Sequence, residues 1–117
     1  MSFKLYNDED EQEPFARIDA AQARKMVDGG EAKLIDVREP DEWEEGHAPQ
    51  AQHVPLQSFL AEPDKYVQAG EDVVFMCRSG QRSAVAAEMA AAVGVERTYN
   101  LEGGILDWQE RGYPVES

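Results

Sequence analysis

The sequence predicts an α/β domain: a mainly parallel sheet with helices on both faces. Three observations predict it. Short β-type apolar runs alternate with stretches of helical spacing from residue 15 onward. The run "VVFMC", within 72–77, is continuously apolar, as befits a strand buried on both faces. An alanine-rich helical stretch, 83–94, follows, with only six positions, Cys77 to Arg82, between Met76 and Ser83. At 117 residues and 42% hydrophobic, the chain suits one domain with a modest core.

Residues 1–14 are dense in charge and have little to bury, so they are expected to form a flexible acidic lead to a domain over 15–117. "FARI" (15–18) reads as a short strand. Asp19 then caps a helix over "AAQARKMVDGG", with Gly29 and Gly30 as stop signals. "AKLIDV" (32–37) is the second strand. "EPDEWEEG" (39–46) is a loop or one short helix, its acids suited to a helix N-terminus. "AQHVPL" (51–56) is a brief strand closed by Pro55, and Pro63 divides "SFLAEPDKYVQAG" (58–70) into two short helical pieces. "DVVFMC" (72–77) is the strongest strand. In "SAVAAEMAAAVG" (83–94), Val85, Met89, Ala92 and Val93 follow helical spacing and Glu88 is the only charge. That helix is expected to be largely buried, with Gly94 just past its end. "RTYNL" (97–101) is a further strand, and "ILDWQERG" is a last helix that stops at Gly112 before Pro114.

Charge and cysteine content narrow the function. The 24 acids and 11 bases give −13, a surface that repels phosphate backbones and argues against nucleic-acid binding. It would suit a basic protein partner. No apolar run is long enough to span a membrane, and the N-terminus lacks the layout of a secretory signal. One cysteine allows no internal disulfide and no cysteine-cluster metal site. A soluble, cytoplasmic protein is therefore expected. His47 and His53 lie six residues apart, a spacing that matches no metal motif, so no metal is expected.

Chemistry concentrates in "CRSGQRS" (77–83). Cys77 sits at the carboxyl end of the most buried strand, where α/β sheets place their working sites. A tight loop there can turn its backbone N–H groups inward, and the following helix N-terminus adds partial positive charge. Gly80 supplies a position where positive φ is cheap. Arg78 and Arg82 bring full charges, so the thiolate should be favoured over the thiol. A cysteine in isolation is as readily a small inert apolar residue. In this setting it reads as a nucleophile beside an oxyanion cradle. Arg78 either contributes to the cradle or is a solvated loop residue. Arg82 is expected to fold over the loop and tie it down. Ser79 and Ser83 can donate to a bound anion, although Ser83 reads first as a helix cap. Asp36 and Arg38 read first as structural, Asp36 accepting backbone hydrogen bonds near a strand end and Arg38 pairing with an acid, with catalytic helpers as the alternative. His47 reads as a loop-fixing residue ahead of a proton donor; Trp43 and Trp108 are candidate rim residues, with core packing the first reading for Trp108. Four residues separate Cys77 from Arg82. Cysteine chemistry on phosphate esters uses a ring one residue larger; this smaller ring better suits a thiolate carrying one extra sulfur.

Three segments together resemble the single-domain rhodanese-like sulfurtransferases. "LIDVREPDEWEEGHAPQAQHVPL" (34–56) is similar to the family's first signature, "CRSGQRS" to its active loop, and "NLEGGILDWQERGYPV" (100–115) to its closing segment. The resemblance implies a five-stranded, mainly parallel sheet. It implies that Cys77 takes a sulfane sulfur from thiosulfate or a small persulfide and passes it to cyanide, a thiol or a protein. Arg78, Ser79, Gly80, Gln81 and Arg82 would cradle the sulfur, with Asp36, Arg38 and Ser83 in support and no cofactor. The alternative is a persulfide carrier that serves one protein partner with little small-molecule turnover.

Overall fold

The computed structural model describes residues 13–117, so the expected acidic lead lies outside the described residues except at its last two positions. The elements run β1 (Ala16–Ile18), α1 (Ala20–Asp28), β2 (Lys33–Asp36), α2 (Pro40–Glu45), β3 (Ala51–His53), α3 (Leu56–Ala61), a single 3₁₀ turn (Pro63–Lys65), β4 (Asp72–Met76), α4 (Gln81–Ala92), β5 (Arg97–Leu101) and α5 (Gly104–Glu110). The five strands form one sheet in the order β1-β5-β4-β2-β3. Every neighbouring pair is parallel. Parallel neighbours cannot be joined by hairpins, so each link must cross the sheet, and the helices make those crossings.

Local chemistry sets the helix starts. Asp19 caps α1 by accepting the Gln22 amide at 2.9 Å. Pro40 opens α2 behind a capping box in which Glu39 and Glu42 exchange side-chain and backbone hydrogen bonds. Pro55 takes the N-cap position of α3, so the strand expected over 51–56 ends at His53 and the next helix begins two residues earlier than its sequence suggests.

The alternation of β4 organises the core. Val73, Phe75 and Cys77 face one layer, with Phe59 of α3 and Ala86, Ala87 and Ala90 of α4. Val74 and Met76 face the other, with Ala23 and Met26 of α1 and Ile105 and Trp108 of α5. The period of two thus carries past the end of the strand and delivers the Cys77 side chain beneath α4. Helices do cover both faces.

Two expectations for α4 fail. It begins at Gln81 rather than Ser83, because Gly80 takes the N-cap position with φ 100°. Ser83 is therefore inside the helix and not its cap. The buried face is Ser83, Ala86, Ala87 and Ala90, whereas Val85 and Val93 stay 46% and 40% exposed. The helix lies close enough to β4 and β5 that only small side chains fit beneath it, and close packing outweighs the burial of two valines. Ala90→Leu should therefore destabilise the fold by about 1–3 kcal/mol through overpacking. Val85→Thr and Val93→Thr should stay within about 0.5 kcal/mol of the parent. Urea titrations check this, and the reverse order would put the buried face back on the valines.

Candidate active site

The central strand, β4, delivers Cys77 to the carboxyl end of the sheet, and the loop Cys77–Gly80 closes around it. The sulfur is buried, with the residue 1% exposed. Its Sγ accepts from the Gly80 amide at 3.2 Å, the Ser83 amide at 3.4 Å and the Ser83 hydroxyl at 3.3 Å.

The loop turns its amides inward because its carbonyls are held elsewhere. Ile105 donates its amide to the Cys77 carbonyl at 2.8 Å, and Leu106 donates to the Arg78 carbonyl at 3.3 Å. Backbone packs directly on backbone at both contacts. A Cβ on Gly104, where φ is +60°, would lie 2.3 Å from the Arg78 carbonyl oxygen. A Cβ on Gly80 would lie 2.2 Å from that of Glu102. Asn100, fully buried in β5, donates Nδ2 to the Gly80 carbonyl at 2.9 Å and accepts the Ser83 hydroxyl at 2.5 Å.

Burial pushes the Cys77 thiol up. The Ser83 hydroxyl and the amides of Ser83, Gly80 and Ser79 more than offset that, so the group titrates below its ordinary value. The arginines are not the direct agents the sequence suggests. Arg82 forks onto Glu42, Nη1 to Oε1 at 2.7 Å and Nη2 to Oε2 at 2.9 Å. Arg78 and Ser79 are exposed, as is Gln81 in the first turn of α4. Arg82 thus ties α4 to α2. It holds the Glu42 carboxyl at about 2, with burial opposing and the Glu39 amide assisting.

A second tie lies beneath the first. Asp36, fully buried, accepts the Arg38 amide at 3.0 Å and its Nη2 at 2.8 Å. Arg38 also donates to the Gly46 carbonyl at 2.8 Å and the Glu42 carbonyl at 3.2 Å. The pair clamps the end of β2 to the last turn of α2, and the hydrogen bonds of both residues go to structure rather than to the sulfur. Trp43 of α2 lies between His47, stacked at 3.5 Å, and His53, at 4.6 Å. His47 fixes its loop through the Trp43 carbonyl at 2.9 Å. Among the described residues no group of three potential ligands forms a metal site. Trp108 is core.

The structure brings together Cys77, Gly80, Ser83 and the loop amides, and places Asp36 and Arg38 in the supporting wall. Sequence reasoning missed Glu42 and Asn100. Glu42 stands three residues after the helix cap, where a capping acid is expected; Asn100 is a lone amide in a buried strand. A cleft of about 240 Å³ opens beside the loop between Arg78, Glu45, Gly46, Leu106 and Gln109. A larger one, about 480 Å³, lies toward the opposite ends of the strands, where Lys33 pairs with Glu71 and Arg97 with Asp72.

Fold and site together define an α/β domain whose central strand presents a cysteine to a cradle of amides. The chain belongs to the rhodanese-like domain family, whose model matches residues 19–111. It is similar to thiosulfate sulfurtransferase GlpE of Vibrio cholerae, 30% identical over 103 residues covering 88% of this chain and 96% of that one. It is also similar to a sulfurtransferase of Allochromatium vinosum, 32% identical, covering 80% and 86%. Among solved structures, a rhodanese-related protein of Thermoplasma volcanium superposes with a TM-score of 0.74 at 32% identity, covering 87% of this chain and 98% of that one.

The Glu42–Arg82 tie makes stability depend on pH. Glu42 titrates near 2 in the folded protein against an ordinary 4.5, so its contribution is full above 4.5 and is lost as pH falls toward 2. Glu42→Gln should lower the urea midpoint at neutral pH, and the gap from the parent should close as pH drops through that window. A gap that stays constant with pH would show that the carboxylate charge is not what braces the loop.

Proposed function

We propose that the protein is a sulfurtransferase that moves a sulfane sulfur from thiosulfate or a persulfide to a thiophilic acceptor through a Cys77 persulfide. The observation that carries this reading is the set of three donors on a buried Cys77 sulfur, two of them backbone amides. They stabilise a thiolate, and they suit the charge that returns to Sγ when the sulfur leaves. In the first step the thiolate attacks the outer sulfur of thiosulfate. The new Sγ–S bond forms, the donor S–S bond breaks, and sulfite departs with the electron pair. In the second step cyanide or a thiolate attacks that outer sulfur, the Sγ–S bond breaks, and the electron pair returns to Sγ. Charge balances in both steps, and neither needs a metal or organic cofactor. One cysteine leaves the persulfide to an external acceptor. We assign the reaction to the cytoplasm, where an unpaired thiol persists.

In this reading the amides of Ser79, Gly80 and Ser83 hold the reacting sulfur. Arg78 meets the anionic donor at the rim, Gln81 opens α4, and Arg82 braces the loop through Glu42. Asp36 and Arg38 keep α2 in place. A second reading, a persulfide carrier docked to a basic protein, draws on the net charge of −13.

Thiosulfate should add about 32 Da to the intact protein at Cys77. A Cys77→Ser variant that stays folded should gain nothing. Sulfur uptake by that variant would remove Cys77 as the nucleophile. Arg82→Ala and Glu42→Gln should each cut turnover with thiosulfate and cyanide by about 10² or more, the scale for losing a positioned group. Arg82→Lys should recover little, because a point charge does not replace the fork. Salt separates the two readings. Thiosulfate turnover should hold or rise with added salt, whereas transfer to a docked basic protein should slow.

A further inference from the structure

Asn100 and Ser83 share one hydrogen, and that hydrogen has two destinations. The Asn100 amide is oriented without ambiguity, since its Nδ2 donates to the Gly80 carbonyl at 2.9 Å. Its Oδ1 therefore faces the Ser83 hydroxyl, 2.5 Å away. The same hydroxyl lies 3.3 Å from Cys77 Sγ. All three residues are buried, Ser83 and Asn100 fully. A hydroxyl has one hydrogen to give, so it serves the sulfur or the amide oxygen but not both at once. Among the described residues nothing else donates to Oδ1, and a buried acceptor left alone is costly.

We propose that Asn100 is a positioning residue for sulfur transfer that acts through Ser83, whose hydroxyl hydrogen turns to Cys77 Sγ when the sulfur carries charge and to Asn100 Oδ1 when it does not. The proposal rests on the Cys77 persulfide reading. In the thiolate state the hydroxyl donates its hydrogen bond to Sγ. Once the persulfide forms, the charge moves to the outer sulfur and the hydrogen returns to Oδ1. As an acceptor takes the outer sulfur, the Sγ–S bond breaks, the electron pair falls back on Sγ and the hydrogen follows it. Asn100 thus gives the hydroxyl a place to wait, so the donor is strongest on Sγ only when Sγ leaves.

The charged groups of the surrounding elements are Arg78 in the loop, Arg82 of α4 with Glu42 of α2, the Asp36–Arg38 pair at the end of β2, Glu102 after β5, paired with Arg17, and Asp107 of α5, paired with Arg111. None is altered by the variants below. The midpoint of Cys77 alkylation against pH reads the thiol alone, and single-turnover discharge of the persulfide to cyanide reads the second step. Ser83→Ala should raise the midpoint by about one pH unit and slow discharge about tenfold. Ser83→Thr, which keeps a hydroxyl, should restore both. Asn100→Ala should lower the midpoint, because the hydroxyl then has only the sulfur to serve. A merely loosened loop, with its amides no longer aimed at Sγ, would raise it instead. In the Ser83→Ala background, Asn100→Ala should shift nothing further. A shift that persists there would mean that Asn100 acts through the Gly80 carbonyl, and would overturn the proposal, as would an unmoved midpoint in Ser83→Ala. If thiosulfate forms no persulfide, the functional reading fails, while the alkylation arms still decide whether the hydrogen is shared.

Discussion

The donation from the Ile105 amide to the Cys77 carbonyl, 2.8 Å, is the contact on which the site depends. A four-residue turn has carbonyls and amides to place, and they point to opposite sides. Whatever claims the carbonyls decides where the amides face. Here the start of α5 claims two carbonyls and Asn100 claims a third, so the amide side closes on the sulfur. This requires α5 to approach the loop at backbone distance. Gly104 permits that approach, since a side chain there would overlap two carbonyl groups. A segment more than twenty residues downstream thus shapes the cradle around Cys77.

The rest of the frame keeps α4 from drifting away from that cradle. Asp36 and Arg38 form a buried ion pair, and such pairs cost desolvation that their mutual attraction repays only with good geometry. The geometry is good: Arg38 also satisfies two carbonyls at the end of α2. Removing one partner would leave a charge buried alone, at a cost of about 3–5 kcal/mol. The pair is better understood as a positioning device than as a source of stability. It fixes α2, α2 carries Glu42, and Glu42 holds the fork of Arg82. Sheet, α2 and α4 form one chain of polar contacts that ends one residue from Ser83.

Much of this was legible because it depends on short-range pattern. The alternation of elements, the continuous apolar run of β4 and the placement of Cys77 at its end follow from periodicity and from where open sheets put their sites. The errors share a cause. Val85 and Val93 have the right spacing for a buried face, but so do Ser83, Ala86, Ala87 and Ala90. Apolar spacing cannot choose between two stripes on a helix that is apolar nearly all round. The distance of the helix from the sheet chooses, and that is a tertiary quantity. Ser83 looks like a cap because serine favours caps; here Gly80 ends the turn early and frees Ser83 to serve the sulfur. Glu42 and Asn100 escaped notice because each partner lies far off in sequence: Arg82 is forty residues from Glu42, and Gly80 twenty from Asn100.

The assignment of Arg82 has a consequence for the electrostatics of the site. Two arginines close after a thiol suggest a strongly positive spot, yet one of them is paired with Glu42. The donors that favour a Cys77 thiolate are local dipoles, which are buried and which salt screens little. Among the described residues Arg78 forms no ion pair and stands exposed at the mouth. In the proposed reaction, stabilising the nucleophile and attracting the donor are therefore separate functions carried by separate groups. On that reading the cradle would hold a thiolate or a persulfide with little dependence on salt, while encounter with an anionic donor would fall to one side chain set against an acidic surface. Under the same proposal, donor or partner preference could change at the rim, at Arg78 or along the exposed acids of α2, without disturbing the amides and the hydroxyl that face the sulfur.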